Sequence, residues 1–129
     1  MNFWWLAAGL LCLVTAFVHT VAGHFNPVLP FLSAELEATV KATLYACWHM
    51  VTVTLFLSAL ALVGLGLSPG FAGARLLAAF LAGLYLLYGL VFLVIGARWF
   101  REKGLLRLPQ WVLLWPVGVL AALGASAAG

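Results

Sequence analysis

Long apolar runs separated by short polar breaks dominate the chain. The runs cover residues 3–23, 40–67, 72–97 and 109–125. Three of them exceed the roughly 20 residues that a helix needs to cross a bilayer, and the fourth, at about 17, lies near the lower limit. Backbone polar groups in hydrocarbon must bond within their own segment, so the runs predict helices rather than strands. The breaks carry turn chemistry. Pro27 and Pro30 are expected to end the first helix. Ser33 is placed to cap the second, with Glu35 and Glu37 favoured in its first turns by the helix dipole. Ser68-Pro-Gly70 reads as a tight turn, Gly104 as a stop, and Pro109 as a helix start. Pro116 predicts a kink in the last helix. The expected helices are 3–23, 34–67, 72–103 and 109–125, in one membrane domain covering residues 1–129.

Composition narrows the class. Of 129 residues, 67% are hydrophobic and 7% charged, and the mean hydropathy is +1.20. Soluble domains carry about 25% charged residues, so a water-facing globule is excluded. The expected fold is all-α: a four-helix transmembrane bundle, up-down-up-down. The net charge of +3 comes from six Lys/Arg against three Asp/Glu, and the cations sit beside apolar runs. That placement points to topology and anionic headgroups, not nucleic acid. Lys41, Arg98, Arg101, Lys103 and Arg107 fall in or beside the first and third loops, with only Arg75 opposite. The positive-inside rule puts those loops in the cytoplasm and both termini outside. With no Lys or Arg ahead of the first run, a cleaved signal peptide is not expected. Trp4, Trp5, Trp99 and Trp111 fall at the edges of the spans, as interfacial indoles do, whereas Trp48 and Trp115 lie deeper, where they would pack against helices.

Candidate chemistry is sparse. Small residues at helical spacing give packing seams: Ala8, Cys12, Thr15, His19 and Gly23 on helix one; Thr43, Cys47, Val51, Thr54 and Ser58 on helix two; Ala79, Gly83, Gly89 and Gly96 on helix three. Cys12 and Cys47 lack metal or redox spacing and read as small apolar groups. The histidines stand out, since an ionisable side chain at membrane depth should face the bundle interior. His49 is expected to face helix one, with His19 and Thr15 nearby. Three readings follow. The histidines can bond polar groups on a neighbouring helix, with Thr15, Tyr45 and Thr52 in one polar cluster. They can ligate a haem or metal through His19 and His49, with His24 as a further metal ligand. Or they can line a wet cavity that handles protons or small molecules. Arg98, Arg101, Lys103 and Arg107 suit lipid headgroups, with Trp99 and Phe100 in the boundary layer. No catalytic motif is present, so an enzyme is not expected.

At His19-Thr-Val-Ala-Gly23, Leu44-Tyr-Ala-Cys-Trp-His49 and Leu108-Pro-Gln-Trp111, the chain resembles an uncharacterised family of small four-helix bacterial inner-membrane proteins. Those proteins have a His-xxx-Gly at the end of helix one, a Trp-His in helix two and a Leu-Pro-Gln-Trp before helix four. Basic residues that follow the glycine in that family are replaced here by His24-Phe-Asn-Pro27. The resemblance implies fold and location, not mechanism. The function expected is an accessory subunit of a membrane complex or a small lipid- or ligand-binding bundle, partnered by lipids, by itself or by a larger complex. A haem- or metal-binding protein and a small channel or transporter are the alternatives.

Overall fold

Asn2 starts the first helix and ties it to two others. In the computed structural model, which describes residues 1–127 apart from side-chain placement at positions 102 and 104, its Oδ1 accepts the Trp4 and Trp5 backbone N–H groups. Helix α1 (Phe3–Gly23) follows. The backbone N–H of Asn2 donates to the Gly66 carbonyl at 2.8 Å, and its Nδ2 donates to the Gly124 carbonyl at 3.0 Å. One residue thus supplies a cap and closes bonds to the far ends of two further helices, where carbonyls would otherwise be orphaned.

Beyond Gly23 the chain does not stop at its prolines. A π turn over His24–Val28 absorbs Pro27, with Asn26 extended (φ −153°, ψ 104°), and leads into a short helix α2 (Leu29–Ser33). Ser33 is not the expected cap. Its hydroxyl donates back to the Leu29 and Pro30 carbonyls and closes α2. Glu37 takes the capping role instead, accepting the Thr39 N–H at 3.0 Å, and α3 (Ala38–Leu67) begins there. Gly73, at φ 90°, turns the chain into α4 (Ala74–Phe100), a left-handed conformation that suits a residue without Cβ. A 3₁₀ turn (Arg101–Lys103) and a one-turn helix α5 (Gly104–Arg107) lead to α6 (Trp111–Ala127), which runs on through Pro116. No strand occurs among the described residues. Three helical stretches, Phe3–Ser33, Ala38–Leu67 and Ala74–Phe100, are long and apolar enough to cross a membrane, and α6 is a shorter apolar helix.

Helix α1 packs against α3 on one side and α6 on the other, and α6 packs against α4; α3 and α4 touch only briefly. The α1 and α3 backbones meet antiparallel. A Cβ on Gly9 would lie 2.7 Å from the Val63 nitrogen, and one on Gly66 would lie 2.7 Å from the Leu6 nitrogen. Such close approach lets dispersion contacts hold helices together where solvent offers no hydrophobic contrast. The buried face of α1 runs through Ala8, Cys12 and Thr15, with His19 and Gly23 half-buried, along the stripe that the spacing predicts. On α4 the expected stripe holds at Gly89 and Gly96, both buried, but nearer the helix start it lies one residue off: Ala78 and Ala82 are buried, whereas Ala79 is exposed. On α3 only the lower part of the expected face is covered; Ser58 is buried, but Thr43, Cys47 and Val51 are exposed.

Indoles seated on glycines fix the other contacts. Trp5, expected at an outer edge, is fully buried. It lies over Gly124, where a Cβ would come within 2.3 Å of the ring, and its Nε1–H donates to the Ala121 carbonyl at 3.1 Å. Trp115 lies over Gly89 in the same way, with 2.2 Å to the missing Cβ, and donates to the Leu86 carbonyl at 3.1 Å. In both cases the accepting carbonyl lies three residues before the glycine. The bare backbone admits the ring, and the indole nitrogen then reaches one turn back.

Gly124→Ala is expected to destabilise the protein by about 1–3 kcal/mol, as an overpacked site does, read as a lower midpoint of thermal unfolding in detergent. Gly64→Ala, where a Cβ would meet nothing within 4 Å, should be neutral or slightly stabilising; equal losses at the two positions would refute the seat. At the α3 cap, the Thr39 backbone N–H, aided by the Thr39 side chain, holds the Glu37 carboxyl below the usual carboxylate range. A group whose folded pKa is depressed contributes above its unfolded pKa and loses that contribution as pH falls through the folded value. The Thr39 amide resonance should therefore shift only in acid, below the ordinary glutamate range, and a shift centred at the ordinary value would contradict the cap.

Candidate functional site

Polar side chains gather at two levels inside the helices. The deeper level joins α1, α3 and α4. The Tyr85 hydroxyl oxygen of α4 lies 2.9 Å from Cys12 Sγ of α1, and Cys12 Sγ donates to the Leu55 carbonyl of α3 at 3.4 Å. Each group in this path can donate once: Tyr85 to Cys12, and Cys12 to Leu55. The path runs from α4 at Tyr85 through α1 at Cys12 to α3 at Leu55. Cys12 and Tyr85 are fully buried. Buried donors need partners, and this path supplies them while bridging two helices, α3 and α4, that otherwise barely touch. Sequence reasoning treats Cys12 as a small apolar group and passes over Tyr85. The available signal was a tyrosine in the middle of a leucine-rich span.

The second level lies toward the far end of α1. Trp48 packs onto Gly23, whose missing Cβ would come within 2.1 Å of the ring. The His19 imidazole stacks on the same indole, with centroids 3.7 Å apart and 19° between planes. His19 Nε2 lies 3.4 Å from the Trp48 carbonyl oxygen, which also accepts the Thr52 hydroxyl at 3.2 Å. The His19 and Gly23 of the His-xxx-Gly segment thus form one seat, and the tryptophan of Trp-His fills it.

The remaining candidates are dispersed. His49 does not face α1: it is exposed, because Trp48 takes the inward position and the next residue of a helix points about 100° away. Its ring meets the edge of Tyr45 at 4.5 Å, and Tyr45 in turn lies beside Phe31 of α2. His24 is exposed against Phe25. Thr15 is buried and bonds the Leu11 carbonyl of its own helix. Thr15, Tyr45 and Thr52 therefore do not share one cluster; each bonds or packs locally. Among the described residues no three His, Cys, Asp or Glu side chains come together to hold a metal ion. His19 is held inward against Trp48, whereas His49 is exposed. Arg98, Arg101, Lys103 and Arg107 are all exposed at the α4–α6 connection.

Comparison with protein-family models, curated proteins and solved structures finds no match. The functional reading accordingly rests on the side chains.

Tyr85→Phe should cost about 0.6–2 kcal/mol, the range for a buried interhelical hydrogen bond. In a double-mutant cycle with Cys12→Ala, the two losses should fall short of additive by about 0.5 kcal/mol or more. Strict additivity in unfolding titrations would show that the two groups act separately.

Proposed function

We propose that the chain is a small, non-enzymatic multi-pass membrane protein that serves as an accessory subunit of a larger membrane assembly. In this reading α1, α3, α4 and α6 cross the bilayer of a bacterial inner membrane in alternating directions as one unit. The basic connections lie in the cytoplasm and both termini outside. The length and apolar character of the helices support the membrane assignment.

The uncovered half of α3 carries the assignment as a subunit. From residue 38 to residue 54 no side chain of α3 is buried, and Thr43, Tyr45, Cys47 and His49 are exposed. Polar and ionisable groups at membrane depth are costly against lipid and normally face protein or water. Interhelical polar contacts would relieve that cost. A partner helix laid along the exposed Tyr45–His49 edge would cover His49 without displacing Trp48, which points about 100° away.

Native gels of mildly solubilised membranes provide the test. The wild-type chain is expected to migrate in a discrete species much larger than one 13.8 kDa copy, and the combined Thr43→Leu and His49→Leu changes should release it. A single-copy species from wild-type membranes, with the apolar variant unchanged or more stable, would mean that this face meets lipid and that the subunit reading is wrong.

A further inference from the structure

The connection between α4 and α6 concentrates charge that the bundle contacts leave unused. Within residues 98–107 stand Arg98, Arg101, Lys103 and Arg107, all exposed, against one acid, Glu102, in the sequence. Large apolar side chains are exposed among them: Trp99 at 77%, Leu106 at 84%, and Phe100 and Leu105 at about half. Cations interleaved with an indole and leucines match neither a water-facing loop nor a buried seam. They match the boundary between headgroups and acyl chains, where Arg and Lys reach phosphates while their neighbours enter the apolar layer.

The backbone keeps these groups close together. Arg101 ends α4 at φ 53° and ψ −127°, a region that side-chain-bearing residues seldom adopt and that is held only when the surroundings require it. The chain turns there. The Trp111 Nε1–H then donates to the Leu105 carbonyl at 3.2 Å, which ties α5 to the first turn of α6. The cations are thereby gathered on a short, pinned connection.

We propose that this connection binds anionic phospholipid headgroups, with Arg98, Arg101, Lys103 and Arg107 meeting the phosphates and Trp99 and Leu106 entering the acyl boundary. The proposal rests on the membrane-spanning reading above and adds the partner chemistry to it. Charge complementarity selects the lipid: a zwitterionic headgroup offsets its phosphate with its own amine, whereas an anionic one leaves a net charge for the four cations. The apolar residues favour a lipid over a soluble phosphate, which would use the cations alone.

Brominated lipids test this on the full chain in equimolar phosphatidylglycerol and phosphatidylcholine bilayers. The Trp99 contribution is the emission lost in Trp99→Phe. Bromine on the phosphatidylglycerol should quench that contribution at least about twofold more than bromine on the phosphatidylcholine, because basic residues near the surface enrich anionic lipid locally. The preference should fade with added salt. It should also vanish in the Arg98→Gln, Arg101→Gln, Lys103→Gln, Arg107→Gln variant, and it should persist when the three arginines become lysine. Equal quenching by the two lipids overturns the proposal and leaves the membrane reading standing. Salt dependence in the wild type decides the matter without any variant. Quenching by neither lipid overturns both readings.

Discussion

Contact between an indole and a bare glycine backbone is the constraint on which this structure depends. A helix surface studded with side chains keeps a neighbour about 8–10 Å away. Removing one Cβ lets a tryptophan ring lie on the backbone, and in two of three cases its nitrogen reaches a carbonyl one turn back. Trp5 joins α1 to α6 and Trp115 joins α6 to α4, while Trp48 joins α3 to α1. The rings form a relay of contacts through the four long helices. Each supplies a large area of dispersion contact and fixes axial register, because the ring fits only where the glycine is. Where apolar surroundings provide no hydrophobic contrast between helices, shape and directed hydrogen bonds are what remain to specify pairing.

Within that frame the buried polar path plays a complementary part. Indoles hold α1, α6 and α4 in series, but they leave α3 and α4 almost without direct contact. The Tyr85, Cys12 and Leu55 path crosses that gap through α1. Asn2 does the same at the end of the helices, where its backbone and side chain bond α3 and α6 carbonyls. One end of the molecule is thus closely tied, whereas at the other the first half of α3 stands clear of α4 and α6. The side chains left open at that second end, an imidazole and threonine on α3 and four cations beyond α4, are those given roles toward a partner protein and toward lipid.

Much of this architecture was legible in the apolar runs, because a helix that must satisfy its own backbone reveals itself by length and hydropathy alone. The α1 face was legible too, since Ala8, Cys12, Thr15, His19 and Gly23 repeat at helical spacing. Side-chain bonding at the breaks was not. Ser33 looks like a cap until its hydroxyl turns back to Leu29, and Glu37 captures the Thr39 N–H instead. Trp5 looks interfacial beside Trp4, and only the partner glycine, 119 positions away, buries it. The α4 stripe is a choice between Ala78 and Ala79, which spacing alone does not make. At the candidate site, the neighbours Trp48 and His49 compete for one inward position. Ionisation cost favours burying the histidine, but the glycine at position 23 accepts the larger ring.

Hydrogen exchange at the six indole nitrogens, resolved by NMR of tryptophan-labelled protein in bilayer discs, tests the central claim most directly. The account predicts that the Trp5 and Trp115 indole protons exchange slowly, being bonded to the Ala121 and Leu86 carbonyls, while those of Trp4 and Trp99, exposed at opposite ends, exchange quickly. Exchange of Trp5 and Trp115 at the rate of Trp4 would mean that the rings are not seated on Gly124 and Gly89, and the packing derived from those seats would fall with them.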